Sequence, residues 1–164
     1  MVKKLKKQYE TPSEGWNGDR IEDEKGLMED YGLRNKQEIY RTQSQLRSLR
    51  RQARELIGTD QQEQKQQVVS KTHELGLVRE DAGLEDILTL NATDFLDRRL
   101  QTTIHRRGYA DTPMEARQLV THGMVRVDGR RIDVPGYMLT QEEESEIEVS
   151  EPEETEEEAE ETQE

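Results

Sequence analysis

Residues 141–164 carry 14 Glu and no Lys or Arg, and that block limits what the rest of the chain can build. Like charges repel and offer almost nothing to bury, so residues 140–164 are expected to form a disordered, solvated acidic tail. Without residues 141–164, the net charge of −13 over 164 residues becomes +1. Residues 1–140 hold 30 of the 32 Leu, Ile, Val and Phe residues. Core material is sparse but concentrated, which excludes a catalytic domain of several layers and suits a small helical body. With no cysteine, disulfides, thiolate zinc sites and thiol nucleophiles are excluded. No apolar run approaches the roughly 18 residues of a membrane span, so no membrane partner is expected. The basic run at residues 3–7 has no apolar segment behind it and does not read as a signal peptide.

The body's cations fall in two islands. Residues 34–54 hold seven basic residues against one acid, Glu38. Residues 98–131 hold eight Arg against Asp111, Glu115 and Asp128. Between them, residues 55–97 carry three basic residues and ten acids. Two positive islands split by an acidic stretch read as two footprints for a polyanion.

Residues 1–17 form a polar basic arm, with Lys3 to Lys7 followed by Tyr9, Pro12 and Trp16. Cations interleaved with aromatics suit phosphate contact and base stacking; a frayed terminus with Trp16 docked on the body is the alternative. Residues 18–93 are expected to form a helical N-terminal domain. A short charged helix covers 19–31, and a long helix covers 34–57 up to Gly58. In that helix Ile39, Leu46, Leu49, Ala53, Leu56 and Ile57 share an arc of about 100°. Lys36, Arg47, Arg50, Arg51 and Arg54 share the neighbouring arc. Like charges at this spacing cost an isolated helix a few tenths of a kcal/mol per pair, so the cationic face invites an anionic partner. A Gln-rich helix within 59–79 and a short one at 84–88 supply apolar faces for it.

Asp94 can cap a helix carrying Leu96, Leu100 and Ile104, which ends at Gly108. Thr112, Pro113 and Glu115 spell a helix start: a capping hydroxyl, proline at the first position and a capping-box acid. That second helix stops at His122-Gly123. Asp128-Gly129 between alternating apolar runs is a strong hairpin signal. A two-residue turn sets Val125 opposite Ile132 and Arg126 opposite Arg131. Facing arginines on an exposed sheet face repel, and a polyanion would offset that. Arg117, Arg126, Arg130, Arg131 and the helix start at Thr112 could then converge on one surface.

These features resemble a known RNA-binding module, the S-four domain named after a small-subunit ribosomal protein. The resemblance is carried by Ala116-Arg117-Gln118-Leu119-Val120, His122-Gly123 and Val125-x-Val127-Asp128-Gly129. The long helix at 34–57, read in Tyr31-Gly32-Leu33-Arg34-Asn35-Lys36 through Arg54-Glu55-Leu56-Ile57-Gly58, with Tyr9-Glu10-Thr11-Pro12 and Trp16, extends it to the archaeal and eukaryotic type of the S-four ribosomal family. The resemblance implies an α+β, mainly helical fold. A helical N-terminal part would precede an S-four domain at 94–139, built of two helices and a β-hairpin. It implies primary binding of small-subunit ribosomal RNA and nucleation of subunit-body assembly. It further implies a place near protein number five, a role in translational accuracy, and a monomer in the cytoplasmic small subunit. Carried over by position, the RNA-facing residues are Arg99, Arg106, Arg107, Thr112, Arg117, Gln118, His122, Arg126, Arg130 and Arg131. Gln101 stands where many such domains have Asp, which is expected to alter a local cap or bond. The cysteine zinc site of some relatives is impossible here.

His73, His105 and His122 show no metal-ligand spacing, and no Gly-rich phosphate loop opens a helix, so neither enzyme activity nor a cofactor is expected. His122 reads equally as a helix-terminus contact or an RNA contact. The rival readings are an S-four-domain factor acting outside the ribosome and a helical protein-interaction adaptor. A net charge of −13 is unusual for an RNA binder and fits a salt-rich, halophilic cytosol. There the Debye length shrinks to about 3 Å at 1 M, and short bidentate Arg–phosphate bonds dominate. Deleting residues 141–164 is expected to leave RNA binding intact or stronger.

Overall fold

The computed structural model describes residue 7 and residues 9–150; the rest of the basic arm's Lys run and residues 151–164 lie outside the described residues. The chain opens with α1 (Gly18–Asp30), whose N-cap Asn17 accepts the Arg20 backbone N–H, and α2 (Lys36–Ile57). Glu24, buried in α1, receives Lys36 Nζ at 2.9 Å and the Tyr40 hydroxyl at 3.3 Å, which binds α1 to α2. On α2 the expected apolar stripe is the buried one. Ile39, Leu46 and Ala53 are enclosed, Leu49 and Leu56 are half-buried, and only Ile57 at the frayed end stays exposed.

Around α2 pack α3 (Gln62–Glu74), α4 (Leu84–Thr89) and α5 (Ala92–Asp97). Leu46, Ala53, Leu84, Ile87, Leu90 and Phe95 form their shared core. A smaller cluster of Leu33, Ile39 and Leu96 joins the α1–α2 corner to α5. Trp16 is 96% exposed and does not dock on the body.

The helix expected from Asp94 to Arg107 is two helices. Asn91 is the N-cap of α5, and Asp94 lies three residues into it with its carboxylate accepting the Asn91 N–H at 2.6 Å. At Arg99 the backbone swings to φ −75°, ψ 145° before α6 (Leu100–Arg106) begins. Tertiary bonding causes the break. The Leu100 N–H donates to Tyr137 O at 2.8 Å, and Arg99 bridges Met138 as an isolated strand pair. Periodicity cannot reveal partners 37 and 39 residues downstream.

Next come α7 (Pro113–Thr121), β1 (Val125–Val127) and β2 (Arg130–Arg131). Thr112 Oγ1 accepts the Glu115 N–H at 3.2 Å, as expected of a cap. Asp128 and Gly129 have φ of 51° and 70°, the left-handed pair that a tight hairpin turn demands, and Arg126 pairs with Arg131.

The boundary drawn at residue 140 needs correction. Thr140 and Glu143 form a reciprocal capping box that starts α8 (Gln141–Ser145), and β3 (Ile147–Val149) pairs antiparallel with β1. The hairpin thus supplies one edge strand and the central strand of a three-stranded sheet ordered β2-β1-β3. Ile147 packs with Leu100, Ile104, Val120, Val125 and Leu139 in the core of this half. The average charge of the segment concealed the two large aliphatic residues, Ile147 and Val149, that lie outside residues 1–140. They alternate with Glu148, as a half-buried strand requires.

Ending the chain at Thr140 should therefore lower the unfolding midpoint, because burying Ile147 alone contributes about 2 kcal/mol. Ending it at Ser150 should leave the midpoint where it is. Thermal unfolding of the two truncations by circular dichroism checks this.

Candidate nucleic-acid interface

The lone acid of the first basic island occupies the contact between the two halves of the molecule. Glu38, in the first turn of α2, receives Arg99 Nη2 at 2.5 Å and Arg117 Nη2 at 3.0 Å. Its Oε1 also accepts the Arg34 N–H at 3.2 Å. Burial would raise the Glu38 carboxyl, but hydrogen bonds from Arg99 and Arg117, with their charges, outweigh it and hold it below its usual range. Alongside, the buried Gln101 amide donates to Tyr31 O at 3.0 Å, Gly32 O at 3.2 Å and Pro113 O at 2.8 Å. Its oxygen accepts Arg117 Nη1 at 3.3 Å. Gly32 has φ +57°, and a Cβ there would come within 2.9 Å of Pro113. That corner therefore takes glycine only. The Gln101 amide supplies N–H donors that a carboxylate at this position would lack.

Several of the residues expected to face RNA make bonds within the chain. Arg99 is 7% exposed and committed to Glu38, so it does not face solvent. Arg117 is turned toward α2 by the same carboxylate and does not join the hairpin arginines. Arg50 is half-buried and donates to Leu90 O, closing α2 onto the end of α4 instead of standing on the cationic face. Thr112 Oγ1 is occupied as a helix cap. Arg106 pairs with Asp97 at 2.5 Å, and Asp97 also accepts the Tyr31 hydroxyl at 2.7 Å. Burial first, then that carboxylate, pushes Tyr31 up to about 12. Arg107 lies 3.5 Å from Glu144, and Arg47 lies 2.9 Å from Glu10.

What remains is a smaller cationic surface. Among the described residues Arg51, Arg54, Arg126, Arg130 and Arg131 enter no ion pair, and all five are exposed, as are Gln118 and His122. Arg131 folds back to donate to His122 O at 3.1 Å, capping the C-terminal end of α7. Its guanidinium covers Gly123, where φ is +72° and a Cβ would meet Nε at 1.9 Å. Beside Arg51 and Arg54, the arm closes a groove on α2. Tyr9 lies 6.4 Å from Tyr40 between ring centroids, flanked by Lys7 and Arg41 at 5.3 and 5.9 Å.

Residue patterns missed three participants. Glu38 was visible as the one acid among seven cations, yet its partners lie about sixty and eighty positions away. By pattern Arg98 reads only as one of eight cations, yet it donates to Leu75 O at 2.8 Å and Glu144 at 2.6 Å. Glu144 was hidden in the presumed tail. Among the described residues no cluster of three His, Asp or Glu could hold a metal, and no helix is long and apolar enough to cross a membrane.

Glu38→Ala strands a buried guanidinium and should cost about 3 kcal/mol in urea unfolding. The Glu38 carboxyl lies lower in the folded chain than unfolded. Its contribution is full above the unfolded value and is lost as pH falls through the folded one. The stability gap between the natural chain and Glu38→Gln should therefore be full above about pH 5 and close as pH drops below about 4. Urea midpoints measured across that range check the sign.

Comparison with known proteins follows the same outline. Residues 98–145 match the S4 domain family. The chain is 43% identical over 148 residues to small ribosomal subunit protein uS4 of Methanothermobacter thermautotrophicus, covering 88% of this chain and 86% of the relative. It is 44% identical over 137 residues to the same protein of Halobacterium salinarum, covering 84% and 81%. With the protein of that name from Natronomonas pharaonis it shares 43% over 149 residues, covering 87% and 86%. Relatives this similar over nearly the whole length leave one conclusion: the chain belongs to the uS4 family of small ribosomal subunit proteins.

Proposed function

We propose that this chain is a structural constituent of the small ribosomal subunit and acts by holding ribosomal RNA, with no catalysis of its own. The observation that carries the reading is the division of its arginines. Arg50, Arg98, Arg99 and Arg117 are spent inside the protein, whereas Arg51, Arg54, Arg126 and Arg130 stand exposed in no ion pair among the described residues. Exposed guanidinium groups on a helix face and a hairpin suit bidentate phosphate contact. Tyr9 between two cations adds a surface on which a base can stack. A rigid body carrying two such surfaces would fasten separate RNA segments at a set spacing, which is how a protein nucleates assembly of a subunit body. Contact with neighbouring protein number five, a part in translational accuracy, and action as a monomer in the cytoplasm belong to the same reading. So does a salt-rich cytosol, given the net charge of −13.

Co-sedimentation from native-salt lysate should place the chain with small subunits; a chain confined to the light fractions overturns the reading. Arg126→Ala with Arg130→Ala should weaken binding to small-subunit ribosomal RNA and flatten its salt dependence. The slope should fall by roughly 0.7–0.9 log units per lost phosphate contact. Filter binding between 0.1 and 1 M potassium chloride measures both, with thermal unfolding as the control for fold.

A further inference from the structure

The arginines of the second island are screened by the segment that looked like tail. Glu144 of α8 reaches Arg98 at 2.6 Å and Arg107 at 3.5 Å. Arg130 acts on Glu143. Burial would raise that carboxyl, but hydrogen bonds from Thr140 and the Tyr137 hydroxyl, with the Arg130 charge, hold it down. On the sheet the arrangement is strict. Val125 pairs with Val149 and Val127 with Ile147, and these four turn inward. Glu148 is therefore on the outer face, directly opposite Arg126, which has Arg131 opposite it on its other side. The outer row reads Arg131, Arg126, Glu148. Facing arginines destabilise a sheet and a facing carboxylate offsets them, so this hairpin does not need RNA to relieve its own repulsion.

We infer that Glu148 is a specificity-determining residue, a built-in counter-charge that lowers the affinity of the hairpin arginines for polyanions in general. The inference rests on the RNA-binding reading above. A phosphate approaching Arg126 meets the Glu148 charge in the same row. A polyanion held by a few charge contacts loses a large share of its attraction to that repulsion. An RNA shaped to the surface can seat its phosphates on the Arg131 side of Arg126, on α2 and on the arm, away from Glu148. Its penalty is then smaller than that of a polyanion whose charges fall anywhere along the row. The carboxylate therefore costs a fitted partner less free energy than an unfitted one, and that difference is the selectivity. Glu148 suits this role because Ile147 and Val149 anchor its strand in the core, which fixes its backbone position beside Arg126.

The full chain and its Glu148→Gln variant should be compared for binding to heparin, to polyuridylate and to small-subunit ribosomal RNA at low and high salt. Loss of one exposed opposing charge should tighten heparin and polyuridylate binding about two- to fivefold at low salt. That gain should shrink at high salt. Ribosomal RNA affinity should rise by less, so the ratio of specific to non-specific binding falls. Adding Arg126→Ala should abolish the gain. Unchanged or weaker polyanion binding by Glu148→Gln overturns the inference, as does a gain that survives Arg126→Ala. If the natural chain prefers ribosomal RNA no more than polyuridylate, the RNA reading fails instead, while the heparin arm still tests the counter-charge.

Discussion

One carboxylate holds the two halves of this molecule in register. Glu38 sits in the first turn of α2 and takes hydrogen bonds from Arg99 at the entry to α6 and Arg117 on α7. The long helix and the S4 domain are thereby locked through a buried charge cluster with two cations and one anion. Such a cluster is a poor source of net stability, because desolvating the ions costs about as much as their attraction returns. Its value is geometric. An apolar contact tolerates sliding, whereas a carboxylate bound by two guanidinium groups and a backbone N–H has one good arrangement. Gln101 repeats the logic with a neutral group, its amide reaching the 31–32 corner and the start of α7.

That joint determines what the exposed surface can be. Arginines that an extended reading would assign to RNA serve as internal ties. Arg98 closes onto the end of α3, Arg50 onto the end of α4, and Arg99 and Arg117 onto Glu38. The exposed remainder lies on a helix face and a hairpin whose separation is set by those ties. Arginine suits both jobs because its planar fork makes several directed hydrogen bonds and keeps its charge under burial. In a family defined by holding a place in a large assembly, a rigid spacing between two cationic surfaces is what the fold has to provide.

Local signals were legible wherever the cause lay within a few residues. The Thr112-Pro113-Glu115 helix start, the glycine at 123 and the Asp128-Gly129 turn with its Arg126–Arg131 register are all present. The apolar stripe of α2 is present too. Failures came where a distant strand or charge intervened. The break between α5 and α6 follows from backbone bonds to residues 135–139. The strand at Ile147 was hidden because an average over a Glu-rich segment erased a three-residue alternation. The candidate interface was half legible: the islands were right as charge, but the inward-facing arginines could not be told from the outward ones.

Composition and pattern alone settle most of the helices, the hairpin turn and the existence of two cationic regions, because helix periodicity, caps and turn residues act through neighbours in the chain. They cannot settle which guanidinium meets a carboxylate. An arginine's reach spans several ångströms in any direction, and its partner is whichever acid folding delivers. Glu38 and Arg117 lie 79 residues apart yet 3.0 Å from each other. Only packing creates that proximity, and it separates the arginines that build the protein from those left for a partner.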